Sequence, residues 1–151
     1  MTLITGGGVA LLALLIDCTT ARPANATGQA AAGRRTKMTW EQVAERTLKE
    51  LSDGERRSGA VYLDEVELAP GSTLKVDQRE IPVRRASAVV FVDKEPQANW
   101  GHACRYLLIG LEDSKVESIE AQFPPFLRGV PKTLRLIWKG DIVPEWAIVK
   151  R

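Results

Sequence analysis

The rhythm of apolar and polar positions changes at residue 38. From Val9 to Ile16 the chain reads VALLALLI, and no charged side chain occurs before Asp17. That run is too short to cross a bilayer, which takes about 20 apolar residues. It matches the apolar centre of a signal peptide, and Ala24-Asn25-Ala26 supplies the small-x-small pattern for cleavage after Ala26. Residues 27–37, TGQAAAGRRTK, hold no large apolar side chain and cannot build a core. The pattern therefore predicts a targeting segment over 1–26, a flexible linker over 27–38 and a single globular domain over 39–151.

The domain opens with a helix signature. Thr39-Trp40-Glu41-Gln42 is a capping box, with Thr39 at the N-cap and Gln42 three residues on. Trp40, Val43, Ala44, Thr47, Leu48 and Leu51 follow at helical spacing and form one apolar stripe. A helix over 39–52 is predicted, closed by Asp53-Gly54, with Gly54 free to take the left-handed cap conformation.

From Gly59 onward the spacing is that of strands. Ala60 to Leu68 alternates in part, and Pro70-Gly71 is a turn pair. Leu74-Lys75-Val76 and Ile81-Pro82-Val83 flank a loose hairpin connection over 77–80, where Pro82 demands an edge strand or a strand start. Ala88 to Val92 and Arg105 to Ile109 are continuous apolar runs, the mark of strands covered on both faces. Val116 to Gln122, Thr133 to Lys139 and Trp146 to Val149 complete the strands. Phe123-Pro124-Pro125-Phe126 must run extended outside any ladder. Tyr106 to Ile119, a Tyr-led strand, an acidic turn and a Val/Ile strand, resembles the hairpin of small exported PepSY-type domains; many β-hairpins share this pattern, and no function follows from it. No βαβ alternation is present, which excludes a doubly wound parallel sheet. The expected class is α+β: one N-terminal amphipathic helix packed on a mainly antiparallel sheet, or on a small β-sandwich, of six to eight short strands.

Charge refines the picture in one respect. The 151 residues carry a formal +2. Arg22, Arg34, Arg35 and Lys37, against Asp17, belong to the first 37 residues, and without them the charge becomes −1. The domain thus lacks the concentrated basic face of a nucleic-acid binder. The N-terminus admits three readings. One is a cleaved signal peptide. Another is a lipid anchor on Cys18, since Leu15-Ile16-Asp17-Cys18 resembles a bacterial lipobox apart from Asp17. The last is translation from Met38, which would leave the domain intracellular.

Candidate chemistry gathers in one stretch, Asp93 to Tyr106. It holds His102, the only histidine of the chain, and Cys104, the only cysteine beyond the targeting segment. A Cys104 thiolate with His102 as base is the weak catalytic candidate; such a pair needs contact near about 3 Å and a third orienting group, Asn99 or Asp93. His102-x-Cys104 supplies two metal ligands where a structural zinc takes four, so no metal and no cofactor are expected, even with Asp93 or Glu95 added. Gly6-Gly7-Gly8 precedes no strand–helix unit and is not a nucleotide loop. Arg56-Arg57 and Arg84-Arg85 read as solvated loop charges. The aromatic residues Trp100, Phe123 and Phe126, with Asn99, His102 and Arg105, form the expected binding surface for a protein or peptide partner. The reading is a small exported, non-catalytic binding, inhibitory or accessory domain. A Cys/His-dependent enzyme or metal-binding protein centred on 93–106 is the alternative.

Overall fold

A computed structural model of the chain describes residues 36–125 and 130–149. The targeting segment, Cys18, all but the end of the linker and Phe126 lie outside them.

The architecture is a mainly antiparallel sheet with helix on one side. Two short helices come first, α1 (Trp40–Glu50) and α2 (Asp53–Ser58). Seven strands follow: β1 (Ala60–Leu68), β2 (Thr73–Val76), β3 (Arg79–Pro82), β4 (Ser87–Asp93), β5 (Cys104–Gly110), β6 (Val116–Ala121) and β7 (Leu134–Lys139). Five of them form one sheet in the order β6-β5-β4-β1-β7, and β2 and β3 pair separately as a hairpin. Every pairing is antiparallel.

Both faces of the large sheet are covered, which explains why β4 is apolar at every position from Ala88 to Val92. On one face Val61, Leu63, Val90, Val92, Leu107 and Ile109 meet Val43 of α1 and Leu51. On the other, Tyr62, Phe91, Cys104, Tyr106, Leu108 and Ile119 pack with Val76 of the hairpin, and Leu74, Ile81, Ile148 and Val149 close over them. Phe91 lies between Tyr62 and Tyr106, with ring centroids at 6.2 Å and 5.3 Å.

Local chemistry departs from the sequence expectation in four places. Thr39 and Gln42 form the capping box of α1, but Gly54 does not cap its C-terminus. Leu51 breaks the helix in an extended conformation, and Ser52 with Glu55 makes a second capping box that starts α2 with Gly54 inside it. Ser52 competes for local backbone bonds and so favours a cap over a helix interior. Arg56 and Arg57 consequently stand in α2 rather than in a loop. The hairpin turn is tighter than anticipated: Val76 pairs with Arg79, and Asp77 takes φ +54°, a left-handed conformation that Asp tolerates. The last segment is a 3₁₀ turn, Glu145–Ala147, not a strand.

Candidate functional site

β4 and β5 are adjacent and in register, Phe91 opposite Tyr106 and Asp93 opposite Cys104. The loop between them, residues 94–103, therefore rises from one end of the sheet. Asp93 and Cys104 are buried on the hairpin side of that end.

His102 anchors the loop. Its Nε2 lies 2.9 Å from Asp93 Oδ1, and its Nδ1 lies 2.6 Å from the Trp100 carbonyl oxygen. The imidazole and the Asp93 carboxylate are 6% and 7% exposed. Asp93 Oδ1 also accepts the Glu95 N–H at 3.0 Å. Burial raises the Asp93 carboxyl above its ordinary value, although His102 and the Glu95 N–H pull it the other way. The His102 N–H donates to the Gln122 carbonyl at 2.7 Å and ties the loop to the chain leaving β6.

Residues 120–123 are fastened from three directions. The Asp77 carboxylate accepts the N–H groups of Gln122 and Phe123 at 3.3 and 3.2 Å. Arg79 donates to the Glu120 carbonyl and pairs with Asp77 at 3.7 Å. The Tyr106 hydroxyl donates to the Phe123 carbonyl at 3.0 Å. Phe123 in turn lies against Gly101: a Cβ at Gly101 would stand 2.6 Å from Phe123 Cε1. The loop can approach the ring this closely only because residue 101 has no side chain.

Two aromatic side chains rise from this scaffold. Trp100 is 86% exposed and Phe123 is 43% exposed. Beside them lies a cleft of about 600 Å³ whose walls include Asp77, Arg79, His102, Glu120 and Gln122. Lys94 and Glu120 pair at 2.6 Å near its edge. Asn99 is exposed on the same loop.

The sequence candidates therefore separate. Trp100, His102 and Phe123 come together. Arg105 turns to the helix side, where Nε and Nη2 grip the Glu55 carboxylate at 2.7 and 2.8 Å and Nη2 also meets the Glu50 carbonyl at 2.8 Å. It fastens helix to sheet and does not face the loop. Cys104 is fully buried. Burial first, then the charges of Asp77 and Asp93, push its thiol from 9.0 up to about 12. Reactive thiolates require the opposite shift and access to solvent. Both ring nitrogens of His102 are engaged by Asp93 and Trp100, so His102 and Cys104 do not form a nucleophile–base pair. Among the described residues no group of three or more His, Cys, Asp or Glu side chains could hold a metal ion. Asp77 and Arg79 are the site residues that sequence reasoning passed over; the Asp at a tight hairpin turn was their only signal.

No helix among the described residues is long and apolar enough to cross a membrane. No family model, no curated protein and no solved structure matches this chain.

Proposed function

We propose that the chain is a small exported, non-catalytic binding domain that takes a protein or peptide partner at the Trp100–Phe123 rim. The observation that carries this reading is the exposure of Trp100 on a loop held from below by His102. A large aromatic ring on a fixed backbone offers contact area at little entropic cost, which is how interface anchors work. Phe123 extends the apolar surface, and the adjoining cleft gives an extended peptide room for a side chain. An extended segment bearing apolar side chains or prolines fits such a rim.

Selection of peptides from a display library on the intact domain tests the proposal. Trp100→Ala and Phe123→Ala should each weaken the selected binders by at least about 2 kcal/mol. Trp146→Ala, at a second exposed tryptophan, should leave them unchanged. Binders indifferent to Trp100 and Phe123 would refute the reading. A Cys/His enzyme on the same loop draws no support from a buried thiol and a histidine with both nitrogens engaged. Export rests on the run from Val9 to Ile16 and on Ala24-Asn25-Ala26. An N-terminus near Thr27, or a lipid on Cys18, in the intact mass of native protein would support export. A native start at Met38 in the cytosol would defeat it.

A further inference from the structure

We infer that the His102–Asp93 contact is a proton-held latch on the Trp100 loop, closed while one proton lies between Nε2 and Oδ1 and released when that proton leaves. The argument is one of hydrogen-bond counting. The Trp100 carbonyl can only accept, so the Nδ1 that lies 2.6 Å away must carry a hydrogen. Nε2 then faces Asp93 Oδ1 at 2.9 Å. Oδ1 already accepts from the Glu95 N–H. The contact is a hydrogen bond only if a further proton sits between the two atoms, as imidazolium with carboxylate or as imidazole with carboxylic acid. When that proton passes to solvent, a nitrogen lone pair faces an oxygen lone pair in a site with little water, and the contact turns repulsive.

The surroundings do not replace the proton. Lys94 is paired with Glu120, and Arg79 with Asp77 and the Glu120 carbonyl. Glu95, on the loop itself, adds negative charge beside Asp93, and Asp77 and Glu120 face the same end of the sheet at Cys104. The Tyr62 phenol on β1 and the Cys104 thiol on β5 are both raised by burial and stay neutral through the range concerned. Among the described residues, the His102 ring is thus the one side chain shown within hydrogen-bond reach of the Asp93 carboxylate that can hold this proton against it. Losing the latch frees the Trp100 carbonyl and the His102 N–H together, because both belong to the same short segment. Acid would hold the loop shut and rising pH would loosen it. This inference deepens the docking reading, since the loop it governs carries Trp100.

The single histidine makes the test direct. Nuclear magnetic resonance of the full chain should follow the His102 ring, the His102 amide and the Trp100 indole as pH is raised across the whole range in which the chain stays folded. As the ring titrates, the His102 amide should lose protection against exchange beyond the rise intrinsic to exchange, and the Trp100 signals should shift with the same midpoint. In His102→Gln the ring that carries the proton is gone, so the loop of this variant should lose the pH response. Trp100→Ala keeps the carbonyl, so it should keep the latch while losing peptide binding, and the two readings therefore fail separately. A ring that keeps one protonation state over the whole range, or a loop that stays protected while the ring titrates, overturns the latch.

Discussion

The Arg105 guanidinium binds three residues, and none of them lies in the loop next to it: Glu55, the Glu50 carbonyl and Ser118. Alternation along a strand placed Arg105 opposite Cys104, and that much was legible. Nothing local could show that Glu55, 50 positions earlier, would meet it there. Arg105→Ala should cost about 3–5 kcal/mol, because it leaves the Glu55 carboxylate buried and unpaired; urea unfolding measures this. Burial alone would raise the Glu55 carboxyl, but the Ser52 N–H, Arg105 and the Ser52 hydroxyl together hold it below its ordinary value. A lowered carboxyl contributes stability above its ordinary range and loses it as pH falls through the lowered value. The variant should therefore show a flatter acid limb than the parent. Cys104 has the opposite sign. Its thiol is raised, so its contribution is complete below about 9 and fades as pH climbs towards about 12. Cys104→Ala should flatten the alkaline limb of a stability–pH curve, and native Cys104 should react with a thiol reagent only on unfolding.

The capping box of α1 and the strands β1, β4, β5 and β6 were legible because each follows from local spacing. The break at Leu51 was not, because Asp53-Gly54 is an equally good stop signal and the Ser52–Glu55 box competes with it three residues away. The apolar stripe was also too even-handed. Val43 is fully buried and Leu48 only half so. Val43→Ala should therefore cost about 1–3 kcal/mol, Leu48→Ala less, and the exposed Lys49→Ala within about 0.5 kcal/mol. Chemical denaturation of the three variants orders them. Thr39→Ala removes the first capping box and should cost about 1 kcal/mol. The C-terminal 3₁₀ turn escaped the reading because Trp146, Ala147, Ile148 and Val149 have strand-like composition, whereas tertiary contact, the Val149 N–H on the Tyr62 hydroxyl, decides their path.

Across the molecule, the apolar runs of β4 and β5 announced a sheet covered on both faces, yet not which elements cover it. The hairpin was the hidden half, since Val76, Leu74 and Ile81 looked like another piece of the same sheet. The rim was legible in composition, as Trp100 and Phe123, but its foundation was not, because Asp77, Arg79 and Tyr106 reach it through pairing set by topology. Gly101→Ala should displace the Phe123 ring and weaken peptide binding while leaving the unfolding midpoint near that of the parent; binding and melting measured together check this. The placement of Asp77 and Arg79 has one more consequence. A five-stranded sheet ends in two edge strands, and the outer edge of such a strand invites other chains to add to it. At the end of β6 the guanidinium of Arg79 occupies the Glu120 carbonyl, and just past the strand the Asp77 carboxylate occupies the N–H groups of Gln122 and Phe123, so an incoming strand finds that end taken. The hairpin tip is in this sense a stopper against polymerisation. A chain carrying Asp77→Ala and Arg79→Ala together should seed fibrils sooner than the parent at equal concentration, well before any loss of fold is seen.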